Sequence, residues 1–160
     1  MVPYVETLVG VDFAIPLLGR AASVTTAGCF VAGDLLSLPF REASFSKVIV
    51  SSVLQYLDDE VSVDLALEEI RRVTATGGRA FASGNPDRQR KEEYIAGIEA
   101  LDLPAERKAS IRERNSRAFW LSAETLLKQA EAVGWDAEIR PVSSSVWQSF
   151  YMFDLVLRAK

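Results

Sequence analysis

Two carboxylates stand directly behind short apolar runs: Asp12 follows Leu-Val-Gly-Val, and Asp34 follows Val-Ala-Gly. Such runs read as buried strands, and in open α/β sheets ligands gather beyond the carboxyl ends of the strands. At the end of the second strand of a nucleotide-binding fold a carboxylate can accept from two ribose hydroxyls. One strand further it can accept an amine proton from adenine. The competing role for either residue is a turn or cap, where Asp is common. Other chemistry is excluded outright. The chain has no histidine, so it holds no Ser-His-Asp triad, no Cys-His pair, no imidazole base and no histidine zinc site. Its single cysteine, Cys29, excludes an intrachain disulfide and a multi-cysteine metal cage.

The elements that would position these acids alternate in the manner of a parallel sheet with crossover helices. Strands are predicted at 8–13, 29–32, 47–53 and 79–83, the third being the richest in β-branched residues and expected to be central. Helices are predicted over 15–24 and 61–74; in the second, Val63, Leu67, Ile70 and Val73 fall on one face, and Gly77-Gly78 is expected to close it. Gly84-Asn85-Pro86-Asp87 reads as a turn that stops the fourth strand. The stretch 87–117 carries eight basic and seven acidic residues in two helical segments broken near Leu103-Pro104, and is expected to be a helical insertion over the sheet edge. Ser122 is a candidate N-cap for a helix ending at Gly134, after which 137–142 and 151–158 read as closing strands.

At 160 residues the chain has the size of one domain and can bury roughly two thirds of its unfolded surface, so residues 1–160 are expected to form a single domain. The net charge of −4 argues against nucleic acid and anionic membranes as partners, and no apolar stretch approaches the roughly 20 residues of a membrane span. With one cysteine and no export signal, the expected location is cytoplasmic. Gly28-x-x-x-x-Gly33 has phosphate-loop spacing, but Asp34-Leu35 follows where Lys and Ser or Thr are needed. No Tyr-x-x-x-Lys pair supports hydride chemistry of the short-chain dehydrogenase kind. In the last third, Trp120, Trp135 and Trp147 with Phe119, Phe150, Tyr151 and Phe153 either line a substrate cleft or pack under the sheet. The basic residues of 87–117 either face an acidic substrate or form a solvated helical surface.

The order of four segments carries a resemblance: Leu-Val-Gly-Val-Asp-Phe; Val-Ala-Gly-Asp-Leu-Leu-Ser-Leu-Pro-Phe; Ser-Phe-Ser-Lys-Val-Ile-Val-Ser-Ser-Val-Leu-Gln-Tyr-Leu; and Glu-Glu-Ile-Arg-Arg-Val-Thr-Ala-Thr-Gly-Gly-Arg. Over residues 8–83 the chain resembles the class I S-adenosylmethionine-dependent methyltransferases of small-molecule type. The region from Trp120 through Gly134-Trp135 to the last strand is similar to that family's closing region. The resemblance implies an α/β, Rossmann-like sheet, mostly parallel with an antiparallel C-terminal strand, and S-adenosylmethionine as cofactor without a metal. It implies that Asp12 binds the ribose hydroxyls with Phe13 against the adenine. Asp34 and Leu35 would read the adenine edge through a carboxylate and a backbone amide. Ser51 would line the methionine end, and Gln55 and Tyr56 would face the substrate.

The sequence departs from that family in two places. Where such enzymes often carry a histidine facing the substrate, this chain has Gln55-Tyr56. A glycine-rich loop normally precedes the ribose acid by about 20 residues, yet eleven residues precede Asp12 and no Gly-x-Gly occurs anywhere. The first strand, glycine loop and first helix are therefore expected to be missing, which marks the chain as truncated. Their absence would leave bare edges on both neighbouring strands. Either the neighbouring strands close up, or a second copy or a partner chain covers the gap, or Val2–Thr7 partly fills it; a homodimer is the expected outcome. Two functions follow: methyl transfer to a small molecule, by this chain or by an enzyme of which it is the C-terminal major part, or a non-catalytic binding or dimerisation module of the same fold.

Overall fold

The structure, a computed structural model, describes residues 5–25 and 28–160, the side chains at 114 and 116 excepted. The chain divides into two compact units, Met1–Phe40 and Arg41–Lys160. Each is built around its own sheet.

In the first unit β1 (Leu8–Asp12) and β2 (Gly28–Ala32) pair in parallel from Leu8↔Gly28 to Asp12↔Ala32, joined by α1 (Ile15–Val24). Phe30 lies across this small sheet, and a Cβ at Gly10 would come within 2.7 Å of its ring, so only glycine fits there. None of the described residues in this unit is buried, and Ile15, Leu17 and Val24 of α1 are exposed. Parallel strands are normally covered on both faces. Of the segment Val2–Thr7, residues 2–4 lie outside the described residues and 5–7 form no strand.

The second unit holds a sheet of order β3-β4-β6-β5: β3 (Phe45–Ser51), β4 (Thr74–Pro86), β5 (Trp135–Pro141) and β6 (Met152–Ala159). β3 and β4 are parallel, and only β6 runs against its neighbours. This bears out the α/β, mostly parallel arrangement with an antiparallel C-terminal strand. β3 is an edge of this sheet rather than its centre, and β1 pairs with β2 alone, so each has an unpaired edge among the described residues.

α2 (Glu60–Val73) is capped by Asp59, whose side chain accepts from the Ser62 N–H, and buries Val63, Ala66, Leu67, Ile70 and Val73. α5 (Ala123–Ala132) begins at Ser122, whose hydroxyl accepts from the Thr125 N–H, and ends before Gly134 at φ +90°. Trp135 is fully buried, donating from its indole to the Leu67 carbonyl at 3.3 Å with the Arg71 guanidinium above its ring. The core of this unit consists of these side chains with Val50, Ala80, Ala82, Leu155 and Leu157.

Two turn assignments need correction. α2 ends at Val73, because the Thr74 hydroxyl bonds the Ile70 carbonyl and the backbone turns extended. Gly77-Gly78 instead lie inside β4, where five steps from Thr74 to Arg79 oppose two from Phe45 to Lys47. Gly84 (φ +73°) likewise marks an irregularity within β4, which runs on to Pro86. The buried Asn85 amide makes this possible by donating to the Ala82 and Phe153 carbonyls. Two helices, α3 (Lys91–Ala100) and α4 (Ala105–Ser116), occupy the charge-dense stretch and break at Leu103-Pro104 as expected. No helix among the described residues is long and apolar enough to cross a membrane.

Candidate functional site

In the first unit the two acids sit at the same end of adjacent parallel strands. Asp12 closes β1, and its Oδ1 accepts the Ala14 N–H at 2.8 Å, turning the chain towards α1, which begins at Ile15-Pro16. The Gly33 N–H donates to the Asp12 carbonyl at 3.1 Å, which fixes the exit of β2 beside it. Asp34 follows at once; its Oδ1 accepts the Leu36 N–H at 2.9 Å and its carbonyl accepts the Ser37 N–H at 3.1 Å. The turn role and the ligand role are therefore compatible. One carboxylate oxygen of each acid shapes the backbone and the other makes no hydrogen bond among the described residues. The Leu35 N–H is also without a partner there. Phe13 is 83% exposed, although burying a Phe side chain is worth about 1.5–3 kcal/mol, so its face is available to a flat ligand. Gly28–Gly33 is strand β2 and its exit, not a phosphate loop.

In the second unit the carboxyl ends of β3 and β4 are laced together. The Ser52 N–H donates to the Ser83 carbonyl at 2.8 Å, and the Ser83 hydroxyl donates to the Ser51 Oγ at 3.2 Å. Ser52 has φ +54°, a left-handed conformation that costs a non-glycine residue of order 1 kcal/mol. Gly84 makes room for it, since a Cβ there would stand 2.6 Å from the Ser52 Oγ, and the Gly84 N–H donates to Asp154 at 3.0 Å. Ser51 is exposed at this end. Gln55 is buried with its amide on the Ser52 carbonyl at 3.3 Å, while Tyr56 is 69% exposed. The structure thus brings Asp12, Phe13, Asp34 and Leu35 together in one unit, and Ser51, Gln55 and Tyr56 in the other.

The aromatic residues of the last third divide between the two roles weighed for them. Trp135 and Phe153 are buried, Trp135 in the core. Trp120 and Tyr151 pack with Tyr94 and Ile98 in a second cluster, and Trp147 is half exposed beside it. Tyr94, Asn115 and Gln148 join this region and were not singled out from sequence. The four-residue spacing of Tyr94 and Ile98 is the one sequence signal for it. Basic residues of 88–117 are engaged in exposed ion pairs, Arg88 with Glu60, Arg90 with Glu93 and Arg112 with Glu99, as befits a solvated surface. Burial, and secondarily the neighbouring Tyr94, pushes the Tyr151 hydroxyl up to about 12.

Each unit pairs parallel strands joined by a crossover helix, and the second closes with one antiparallel strand. Residues 1–82 match the family described as Methyltransferase domain, and the chain belongs to the class I S-adenosylmethionine-dependent methyltransferases. It is 36% identical over 95 residues to a malonyl-[acyl-carrier protein] O-methyltransferase of Erwinia billingiae, covering 59% of this chain and 36% of that protein. A demethylmenaquinone methyltransferase of Mycobacterium sp. (strain KMS) is 32% identical over 140 residues, covering 79% of this chain and 57% of that protein. Among solved structures, an SAM-dependent methyltransferase of Methanosarcina mazei shares the fold at TM-score 0.69 and 12% identity, over 96% of this chain and 82% of that one. The chain thus spans between a third and three fifths of the length of these two sequence relatives.

Proposed function

We propose that this chain serves methyl transfer from S-adenosylmethionine to a small molecule, as the enzyme itself or as the C-terminal major part of one. The carrying observation is the pair Asp12 and Asp34 at the ends of adjacent parallel strands. Each has a carboxylate oxygen to spare, and the unpartnered Leu35 N–H lies beside Asp34. This donor and acceptor set fits an adenosine. Asp12 accepts from the ribose hydroxyls, Phe13 lies against the base, and Asp34 with the Leu35 amide reads its edge. Ser51 serves the methionine end, and Gln55 and Tyr56 the substrate side. When bound, the cofactor supplies an electrophilic methyl group, whose displacement needs chiefly alignment and an exposed nucleophile. With no histidine in the chain, any base is a carboxylate or a tyrosine. Tyr151, pushed up to about 12, stays protonated at neutral pH and is not that base. A cytoplasmic setting is part of the same reading, given one free, exposed cysteine.

Calorimetric titration with S-adenosylmethionine and S-adenosylhomocysteine tests this. Saturable binding at micromolar concentration that is lost in Asp12→Ala and Asp34→Ala supports it. A folded protein that shows no binding at millimolar ligand overturns it.

The second reading, a methyltransferase-fold module that pairs with a second copy or a partner chain, draws on the unpaired edges of β1 and β3. Bare edges present a row of unsatisfied amides and carbonyls that invite another strand. A dimer in light scattering at micromolar concentration supports edge pairing, and a monomer counts against it.

A further inference from the structure

The larger sheet is fully buried on one face only. Strand side chains alternate between faces, and Val50, Ala80, Ala82, Leu155 and Leu157 lie on the face that forms the core with α2. The register lays the opposite face out in rows across the strands: Lys47, Arg79, Arg158 and Asp136 in one, and Ile49, Phe81, Val156 and Glu138 in the next. Lys47, Ile49 and Arg79 are exposed, Ile49 at 54%, and Phe81 and Val156 are half-buried. Sheets with parallel strands are normally covered on both faces. The charges of this open face are used unevenly. Arg158 pairs with Asp136 and Glu138, and Arg140 with Glu138, so the β5 side is neutralised within the chain. The Lys47 and Arg79 side chains make no hydrogen bond or ion pair among the described residues, which leaves two free cations beside the exposed end of the apolar row.

The outer side of α2 carries the complement. Its core side is buried, whereas Val61 is 65% and Leu65 46% exposed. With Asp64 and Glu68 these two follow the i, i+3, i+4, i+7 spacing of one helix stripe, so an apolar pair lies beside an acidic pair. The Asp64 and Glu68 side chains have no hydrogen bond or ion pair among the described residues, while the nearby Glu69 and Glu60 are held by Arg72 and Arg88. The patches also agree in size. Members of each helix pair are about 6 Å apart along the axis, and on the sheet neighbours stand about 5 Å apart within a row and about 7 Å apart between rows.

We infer that the open sheet face of one copy receives α2 of a second copy, with Val61 and Leu65 on Ile49 and Phe81, and Asp64 and Glu68 against Lys47 and Arg79. Four side chains without ion partners gain them, and exposed apolar groups leave water. The two surfaces differ and lie on opposite sides of the second unit, so the contact is head-to-tail, and every added copy presents one free surface of each kind. It uses a sheet face and a helix rather than a bare strand edge, and it does not depend on cofactor.

The test is sedimentation velocity of the whole chain from about 1 to 100 µM, the range in which modest protein contacts dissociate. The wild type is expected to sediment faster as its concentration rises. Two double variants each reverse one patch: Lys47→Glu with Arg79→Glu on the sheet, and Asp64→Lys with Glu68→Lys on α2. None of the four side chains is buried, so both variants are expected to keep the wild-type circular dichroism. Each alone opposes like charges and should weaken association at least tenfold. An equimolar mixture should restore it, because each altered patch then meets its complement. Should a reversal disturb the fold, the neutral pair Asp64→Asn with Glu68→Gln is expected to weaken association in the same direction. A wild type that stays monomeric throughout, an α2 variant that associates like the wild type, or a mixture of folded variants that stays monomeric would overturn the inference. Pairing through the β3 edge survives the α2 substitutions, which leave β3 unaltered, so the two modes of association are distinguishable.

Discussion

Replacing Asp12 by asparagine separates its two tasks. The Oδ1 acceptor for the Ala14 N–H survives the change, so the turn into α1 is kept and the fold loses at most about 1 kcal/mol. The ribose contact changes more. Two hydroxyls donating to an ionised carboxylate contribute about 1.5–3 kcal/mol each, whereas in asparagine the one oxygen stays on the Ala14 N–H and the NH2 in the other position donates at most one bond of about 1 kcal/mol to a ribose oxygen. The net loss is about 3 kcal/mol, or roughly a hundredfold in Kd. Calorimetric titration with S-adenosylhomocysteine measures it, with a thermal melt of the same samples as the stability control. The 2′-deoxy analogue closes a double-mutant cycle: removing that hydroxyl should cost the wild type about tenfold and Asp12→Asn close to nothing. A variant that binds within twofold of wild type, or equal losses from the analogue in both proteins, refutes the placement of Asp12 on the ribose.

The remaining expectations concern the second unit and the unpaired edges. Gly84→Ala forces a Cβ to within 2.6 Å of the Ser52 Oγ at φ +73°, and should lower stability by about 1–3 kcal/mol in denaturant unfolding. Trp135→Ala empties the centre of the larger core and removes the bond to the Leu67 carbonyl, for an expected loss of about 3–5 kcal/mol by the same measurement. Tyr151 keeps its proton in the fold up to about 12 but loses it near 10 when unfolded, so the folded state binds more protons over that window. Stability from this group is therefore complete below pH 10 and lost as the pH rises towards 12, by about 2 kcal/mol, and Tyr151→Phe should flatten that part of the profile. Light scattering should show a dimer that a charged substitution on the β3 edge, Ile49→Lys, converts to monomer.

Short-range physics made most of the elements legible. α1 begins and ends where the apolar spacing places it, and Ser122 and Gly134 bracket α5 because caps are local chemistry. The errors were of a different kind. Gly77-Gly78 and Gly84 looked like stops because glycine favours turns, yet pairing with β3 and β6 draws them into one long strand, and that pairing is invisible from β4 alone. The strongest β-branched run, expected at the centre, lies at an edge for the same reason. At the candidate site the two acids were legible because each ends an apolar run. The second aromatic cluster was only half legible: Trp120 and Tyr151 stood out by type, but Tyr94 and Ile98 join them through folding of a distant segment.

The first unit poses an energetic question with a measurable answer. Two strands and one helix with no buried residue among the described ones gain little apolar burial to set against the ordering entropy of the backbone, which costs about 1–2 kcal/mol per residue. The unit nevertheless carries Asp12, Phe13, Asp34 and Leu35, all four residues proposed to read the adenosine. A ligand that binds only the ordered form must then stabilise this unit by mass action, by about 2.7 kcal/mol at a hundredfold excess over Kd. Phe13, exposed now, would lose much of its solvent contact under the base. Amide exchange in β1 and β2 should consequently slow about a hundredfold when S-adenosylhomocysteine is added at that excess. Exchange in α2 and β6, whose side chains already form a core, should change far less. Protection that is already high in β1 and β2 without ligand, and unchanged by it, would mean that the unit draws its order from another source and that adenosine recognition is not coupled to its folding.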